Sequence, residues 1–412
     1  MHKQIIIIGG GASGVFAAIA AAESAGGGLT VGLIEADRQC LKKVGVSGGG
    51  RCNLTHSCPT IRDFCSHYPR GERELRGPMH AFGPRETVRW FENRGVPLKT
   101  EDDGRVFPAG NRAEDVTACL LHAAREIGVN ICISSPVAAI EKMSDGRFAV
   151  STKKSNRFAA DAVLLAPGGG HSAAYDLAAA LGHTIAKPVP SLFAVNLSES
   201  PFSDLAGITV PACELSLPKF GTSARGTLLV THKGISGPAV LSLSSLAARE
   251  LAADRYRARL LANFGPAGGI SEIIESFRKQ TAEHGRQKIH KRPLFGLPSR
   301  LWQLFSGLAG VPDSQTWSHL TAERRDAFAA IICSCELDTC GRNPNREEMV
   351  TCGGVELTEV NFRTMESRCC PGLYLAGEVL DIDGFTGGDN LQAAWTTGYI
   401  AGKSMGERRQ LQ

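Results

Sequence analysis

Four consecutive isoleucines, Ile5–Ile8, run directly into Gly9-Gly10-Gly11-Ala12-Ser13-Gly14. A short apolar run bounded by glycine reads as a buried strand, and the small-residue stretch Gly14–Ser24 reads as a helix. Thr30–Ile34 supplies a second apolar strand. This strand–turn–helix–strand unit constrains the fold more than any other stretch, because it opens a doubly wound, parallel α/β sheet of Rossmann type. The glycines satisfy G-x-G-x-x-G. Gly9 permits a tight turn, Gly11 lets backbone approach a diphosphate, and Gly14 lets the helix lie close on the sheet. Glu35, 21 residues past Gly14, ends the second strand where a carboxylate can take ribose hydroxyls. Ala12, Ser13 and Ala36 flank these positions and are expected at the same nucleotide.

A second set of glycines lies more than 350 residues later. The apolar strand Leu373–Ala376 runs through Gly377, Glu378, Asp381 and Asp383 into Gly387, Gly388, Asp389 and Asn390, and a helix is expected over Leu391–Gly402. A helix that begins on glycines offers unpaired N–H groups and the positive end of a dipole, suited to an electron-poor ring. Two distant halves of one site imply a large cofactor, and FAD fits best. Gly48, Gly49, Gly50, Arg51, Cys52 and Asn53 follow Glu35 closely; the glycines can lie flat against a bulky ligand, and Arg51 and Asn53 can bond phosphate or ribityl oxygens. Val137, after Pro136, is a candidate for backbone contact with adenine. Gly168 and Gly169 end another buried strand, Asp161–Ala166. They imitate a second fingerprint for NADPH, but the next strand lacks an acid or arginine to read a ribose, so contact with FAD is preferred.

Taken together, GGGASG, SGGGRCNLTH, THKGISGPAVL and GLYLAGEVLDIDGFTGGDNLQAAWTTGYIAG resemble a family of bacterial flavoproteins, the NAD(P)/FAD-dependent oxidoreductases or aminoacetone-oxidase-family FAD-binding proteins. The resemblance spans essentially the whole chain. It implies an FAD domain of glutathione-reductase type interrupted by an inserted β-barrel plus helical domain. The expected boundaries are 1–190 and 347–412 for the FAD domain and 191–346 for the insertion, with the barrel at 191–265 and about 322–346 and helices at 266–321. In related folds an acid of the C-terminal loop bonds the ribityl or diphosphate, and Asp381 or Asp383 is favoured over Glu378. Backbone N–H groups of Gly388–Leu391 then face the N1–C2=O edge of the flavin. Two departures stand out: Asp389 occupies a place where an aromatic such as Tyr is expected, and Pro167 replaces a usual Thr.

Composition excludes several classes. With 412 residues the chain exceeds one compact core, and a net charge of +4 makes no case for nucleic acid. The one local basic run, Arg286–Arg292, reads as a solvated helix face. No run of about 18 apolar residues predicts a membrane span, and the N-terminus has no signal-peptide pattern, so a cytoplasmic protein is expected. The 13 cysteines are odd in number and irregular in spacing, as expected for reduced thiols. Cys40 has Gly45 at the offset where flavin disulfide reductases carry a second cysteine, and Cys333, Cys335 and Cys340 lack a matching half for zinc, so no metal site is expected. Cys52 and His232 are the candidate catalytic residues, with His171 ranked lower.

The function that follows is an FAD-dependent oxidoreductase in which a small reduced substrate, an amine among the candidates, or NAD(P)H passes a hydride to flavin N5. The substrate is expected between the flavin face and the inserted domain, and NAD(P)H as a transient partner. A flavoprotein serving RNA modification or binding, and a flavin-binding protein without efficient turnover, remain as alternatives.

Overall fold

Ile5–Ile8 forms the buried end of strand β1 (Lys3–Ile8), followed by helix α1 (Ala12–Ser24) and strand β2 (Leu29–Ile34), which pairs in parallel with β1. The structure is a computed structural model and describes residues 3–170, 172–343 and 350–407. Both faces of β1 are covered, so its apolar run is continuous rather than alternating.

The stretch around Gly48–Asn53, rich in glycine, opens as a helix. Helix α2 (Lys42–Gly50) buries Val44 and is broken inside by extended Ser47 (ψ 147°) and left-handed Gly48 and Gly49 (φ 57° and 68°). Strand β3 (Thr55–His56) leads to helices α3 (Ile61–Cys65), α4 (Glu72–Ala81) and α5 (Pro84–Glu92). Strands β4 (Leu98–Thr100) and β5 (Arg105–Pro108) pair antiparallel, and β3 joins the free side of β5. Helix α6 (Ala113–Glu126) returns the chain to β6 (Asn130–Cys132), parallel to β2. An antiparallel meander follows, β7 (Val137–Lys142), β8 (Phe148–Thr152) and β9 (Arg157–Ala160). Strand β10 (Ala162–Leu165) then pairs in parallel with the other side of β1. Helix α7 (Ser172–Ala180) and strand β11 (Ile185–Ser191) complete this part.

The chain divides into two compact units, Met1–Pro190 with Asn345–Gln412, and Ser191–Pro344. In the second unit, strands β12 (Val195–Leu197), β13 (Thr209–Leu217), β14 (Thr222–Thr231) and β15 (Gly234–Ser236) precede helices α8 (Pro238–Leu246) and α9 (Ala248–Ala253). Strand β16 (Arg259–Asn263) and helices α10 (Gly269–His284), α11 (Ser299–Leu308) and α12 (Ala322–Cys333) lead to β17 (Cys335–Arg342). The six strands close a barrel in the order β12-β15-β14-β13-β16-β17. The chain was expected to rejoin the barrel at about 322, but residues 322–333 are α12, started by a Thr321 side chain that accepts from Arg324 N–H at 3.4 Å. Only β17 belongs to the barrel, and its inward Cys335, Leu337 and Thr339 alternate with exposed residues. The helices bury Phe277, Trp302, Trp317 and Phe328 together.

The first unit resumes with β18 (Val350–Val355), β19 (Val360–Asn361), β20 (Glu366–Ser367), β21 (Leu373–Leu375) and helix α13 (Gly387–Glu407). The completed sheet runs β19-β20-β21-β10-β1-β2-β6. Among the described residues, strand β11, with Pro188 and Pro190 inside it, pairs only with β18, as suits residues that cannot donate to a second ladder. Helix α13 starts four residues before the expected position and lies along α1. Gly398, Gly402 and Gly406 face Ser13, Ala17 and Ala21, and a Cβ on any of the three would collide with the facing backbone carbonyl. Glycine at every fourth position thus sets the distance between the two helices. Phe16, Phe82, Trp90, Phe91 and Trp395 fill the space beside the seam.

Candidate functional site

Strands β1, β10 and β21 are parallel, so their C-terminal ends lie side by side. Backbone bonds continue past them: Gly9 N–H donates to Ile34 C=O at 2.8 Å, Ala166 N–H to Ile8 C=O at 2.8 Å, and Ala376 N–H to Leu165 C=O at 3.1 Å. Doubly wound sheets bind ligands beyond this edge. Gly9 turns there at φ 105°, where a side chain would also strike the Ala166 carbonyl. Helix α1 has no side-chain cap and no acid in its first turn, which leaves the amides of Ala12, Ser13 and Gly14 at the positive end of the helix. A Cβ on Gly11 would meet no protein atom within 4 Å. Glu35 folds over the turn, accepting Gly10 N–H at 2.6 Å and Asp37 N–H at 2.7 Å. Ala36 beside it is exposed. Ser135 N–H donates to Glu35 C=O at 2.9 Å, which ties the approach to Val137 onto the same turn.

The C-terminal motif meets these residues directly. Gly377, at φ 76°, has no room for a side chain because Ser13 occupies the place, and its N–H donates to Thr397 Oγ1 at 2.9 Å. Glu378 accepts from Lys43 Nζ at 2.8 Å, Gly169 N–H at 3.2 Å and Thr351 N–H at 2.9 Å. Asp381 accepts Gly353 N–H at 2.9 Å. Asp383 is fully buried and held by the Arg70 guanidinium through both carboxylate oxygens. Of the three acids, Glu378 stands beside Gly169, Asp381 beside Gly353, and Asp383 is paired with Arg70. Gly388 lies against the Asn53 carboxamide, which joins the Gly48–Asn53 turn to the start of α13. A Cβ on Gly49, Gly50, Gly168 or Gly387 would meet open space. Leu391 packs on the core, while Asn390 closes its own loop through Gly384 N–H, Gly384 C=O and Thr386 C=O.

Asp389 differs from its expected role near a ring. Its carboxylate accepts Thr386 N–H and Oγ1–H, both at 3.0 Å, and Thr386 Oγ1 accepts Asp389 N–H at 3.2 Å, a reciprocal cap of α13. The other oxygen lies 3.2 Å from His67 Nδ1 and holds that imidazole above its ordinary 6.5 against the opposing effect of burial. Arg51 stacks 4.0 Å over the Phe107 ring, bonds Asn111 at 3.0 Å and pairs with Glu101, so its guanidinium already has partners on the three-stranded sheet.

Neither catalytic candidate is supported by its surroundings. Cys52 is fully buried at φ 57°, and burial pushes its thiol up to about 12, away from the thiolate form that a nucleophile needs. His232 is exposed on the β14–β15 turn of the second unit. His171 lies outside the described residues. A cleft of about 560 Å³ in the first unit, lined by Pro78, Leu357, Phe362 and Ile400 among others, contains none of the glycine-motif residues. Spacing alone did not mark Arg70, His67 or Thr386, although Thr386-Gly387-Gly388-Asp389 carries the pattern of a reciprocal cap.

A parallel sheet with a glycine turn and acid at its first two strand ends, met by a second glycine-started helix from the far end of the chain, defines a dinucleotide-binding flavoprotein. The unfilled space along the glycines and the uncapped α1 suit an extended, anionic cofactor. Residues 3–404 match the family described as HI0933-like protein Rossmann domain, and the chain belongs to that family. It is 32% identical to the 3-dehydro-bile acid delta(4,6)-reductase of Clostridium scindens, over 98% of this chain and 100% of that one. It is 28% identical to the ribosomal RNA dihydrouridine synthase of Escherichia coli, over 97% of each chain. Among solved structures, the 3-ketosteroid delta1-dehydrogenase of Sterolibacterium denitrificans shares the fold at TM-score 0.52 and 13% identity, covering 98% of this chain and 100% of that one. The 3-ketosteroid-delta4-(5alpha)-dehydrogenase of Rhodococcus jostii does so at 0.51 and 14%, covering 98% and 97%. The protein is an FAD-dependent oxidoreductase. None of the helices among the described residues is long and apolar enough to cross a membrane.

Proposed function

We propose that this enzyme draws on NAD(P)H to reduce a carbon–carbon double bond conjugated to a carbonyl group in a small molecule. The observation that carries the cofactor half is the convergence of Gly9–Gly14, Gly48–Asn53 and Gly377–Leu391 at one sheet edge. The substrate half is supported by the curated relatives, whose names describe adding hydrogen across a double bond. Bound FAD supplies two-electron chemistry, taking up and giving back a hydride.

The chain's own residues hold and bias that cofactor. The amides of Ala12, Ser13 and Gly14 receive the diphosphate, with Gly9 and Gly11 allowing close approach. Glu35 exchanges its backbone partners for ribose hydroxyls, with Ala36 and the Val137 backbone on the adenosine side. Gly168, Gly169, Glu378 and Asp381 face the ribityl chain, and Gly48, Gly49, Gly50 and Asn53 line the approach to the ring. The amides of Gly387 and Gly388 begin a 21-residue helix whose positive end would stabilise negative charge on the reduced ring. We place the protein in the cytoplasm, where a chain with 13 cysteines keeps its thiols reduced.

A second reading, an RNA uridine as substrate, rests on the relatives named as dihydrouridine synthases and on the exposed Arg286, Lys288 and Lys291. Anaerobic absorbance spectra of the purified protein separate the readings. NADPH should bleach the flavin band, and a steroid 4-en-3-one should restore it. Restoration by ribosomal RNA alone would favour the second reading, bleaching by an amine but not by NADPH would mark an amine oxidase, and failure to bind flavin would overturn both.

A further inference from the structure

Cysteine spacing gives no reason to expect a metal, yet the fold gathers two histidines and a cysteine beside the start of α13. His56 ends β3, Cys58 follows two residues later, and His67 comes just after α3. Cys58 Sγ lies 3.3 Å from His56 Nδ1 and 3.9 Å from His67 Nε2. One ligand atom from each of the three residues lies within 4.8 Å of the others. Tetrahedral zinc bonds of 2.3 Å to sulfur and about 2.05 Å to nitrogen place S and N about 3.6 Å apart. The two measured separations bracket that value.

The outer nitrogens show why this cluster differs from chance proximity. His56 Nε2 lies 2.7 Å from the Asp103 carbonyl, which can only accept, so that nitrogen carries the proton and Nδ1 presents a lone pair toward Cys58. His67 Nδ1 donates in the same way to the Asp389 carboxylate at 3.2 Å, leaving Nε2 directed at Cys58. A ring nitrogen held by a carbonyl or carboxylate, with the other nitrogen turned inward, is the usual setting of a metal-bound imidazole. The other His/carboxylate/Cys group in this unit contrasts with it: His183 spends both nitrogens, on Glu359 and on Ser367, each at 2.8 Å.

We propose that His56, Cys58 and His67 bind one Zn2+ ion, with the fourth position open to water or a small anionic ligand. Two imidazoles and a thiolate are a donor set for zinc, and all three residues are half-buried, which leaves a route of entry. Binding forms three coordinate bonds and releases the Cys58 thiol proton to solvent, with no change of oxidation state. Through His67, Asp389 and the Thr386 cap, the ion fixes the first turn of α13. None of the three ligands is among the residues assigned to FAD, so the proposal does not depend on that assignment.

The test uses the full-length, flavin-loaded protein after treatment with a chelator and removal of that chelator. Titration with Co2+ should give one tetrahedral ion per chain, read from d–d bands to the red of flavin absorption and displaced by Zn2+. Cys58→Ser and His56→Asn should lose those bands while keeping the flavin spectrum, and Cys369→Ser should keep both. Asp389→Asn should weaken binding about 10–100-fold, since it removes a partner of His67 rather than a ligand. The proposal is overturned if the folded wild type takes up no equimolar Co2+, or if uptake is equally strong in Cys58→Ser.

Discussion

Asp389 joins two tasks in one carboxylate, capping α13 through Thr386 and accepting a hydrogen bond from His67. The hydrogen bond to Asp389 raises His67 above 6.5, so its charged form adds stability that is complete below the unfolded value and fades as pH rises through the folded one. In metal-free protein, wild type should exceed His67→Gln by under about 1 kcal/mol near pH 6, a small sum because the ring is part-exposed. That margin should disappear in alkaline buffer, and melting curves showing a pH-independent margin would refute the assignment. Gly11 and Gly9 give a second residue-scale contrast. Gly11→Ala should change the stability of flavin-free protein by under about 1 kcal/mol, since nothing in the protein opposes the methyl group, yet weaken FAD binding at least about 10-fold. Gly9→Ala should lower the melting temperature of flavin-free protein itself, through strain at φ 105° and collision with Ala166. FAD titrations alongside thermal melts check both. At this scale the glycine roles were legible from spacing, because each glycine has a local reason. The Arg70–Asp383 pair was not, since its partners are 313 residues apart and Arg70 lies in none of the motifs.

The seam between α1 and α13 is the element on which the site depends. Gly402→Ala places a methyl group against the Ala17 carbonyl, and overpacking of this kind costs about 1–3 kcal/mol. Separation of the helices would also pull Gly377 from Ser13, so the variant should lose flavin as well as stability. Retention of full FAD affinity in a destabilised Gly402→Ala protein would show the seam and the site to be independent. Apolar patterning identified β1, α1, β2, β10 and β21. It missed α2 because three glycines masked a helix-forming Lys42–Val46 start, and placed α13 late because glycines were read as its cap rather than its first turn. The pattern also carried no signal for β15, three residues whose pairing is supplied by β12 and β14.

Across the whole molecule, two hydrophobic cores are separate, one under the parallel sheet and one in the barrel and its helices. Calorimetry should therefore resolve two transitions, and saturating FAD should raise only the one belonging to the first unit. A single transition that moves as a whole with FAD would contradict this. The expected boundaries of the insertion came with the family resemblance, whereas the way six strands close into one barrel depends on long-range register that a single sequence does not display.

The helix seam also has a consequence for biosynthesis. About 375 residues separate the start of α1 from the start of α13. At about 5–20 residues per second, a ribosome needs roughly 20–75 s to make that interval. Throughout it, the alanine face of α1 has no partner and the ring-facing half of the cradle does not exist. Cofactor capture is consequently a late event, completed only once α13 has been made, and ribosome-stalled chains ending before Gly387 should emerge colourless.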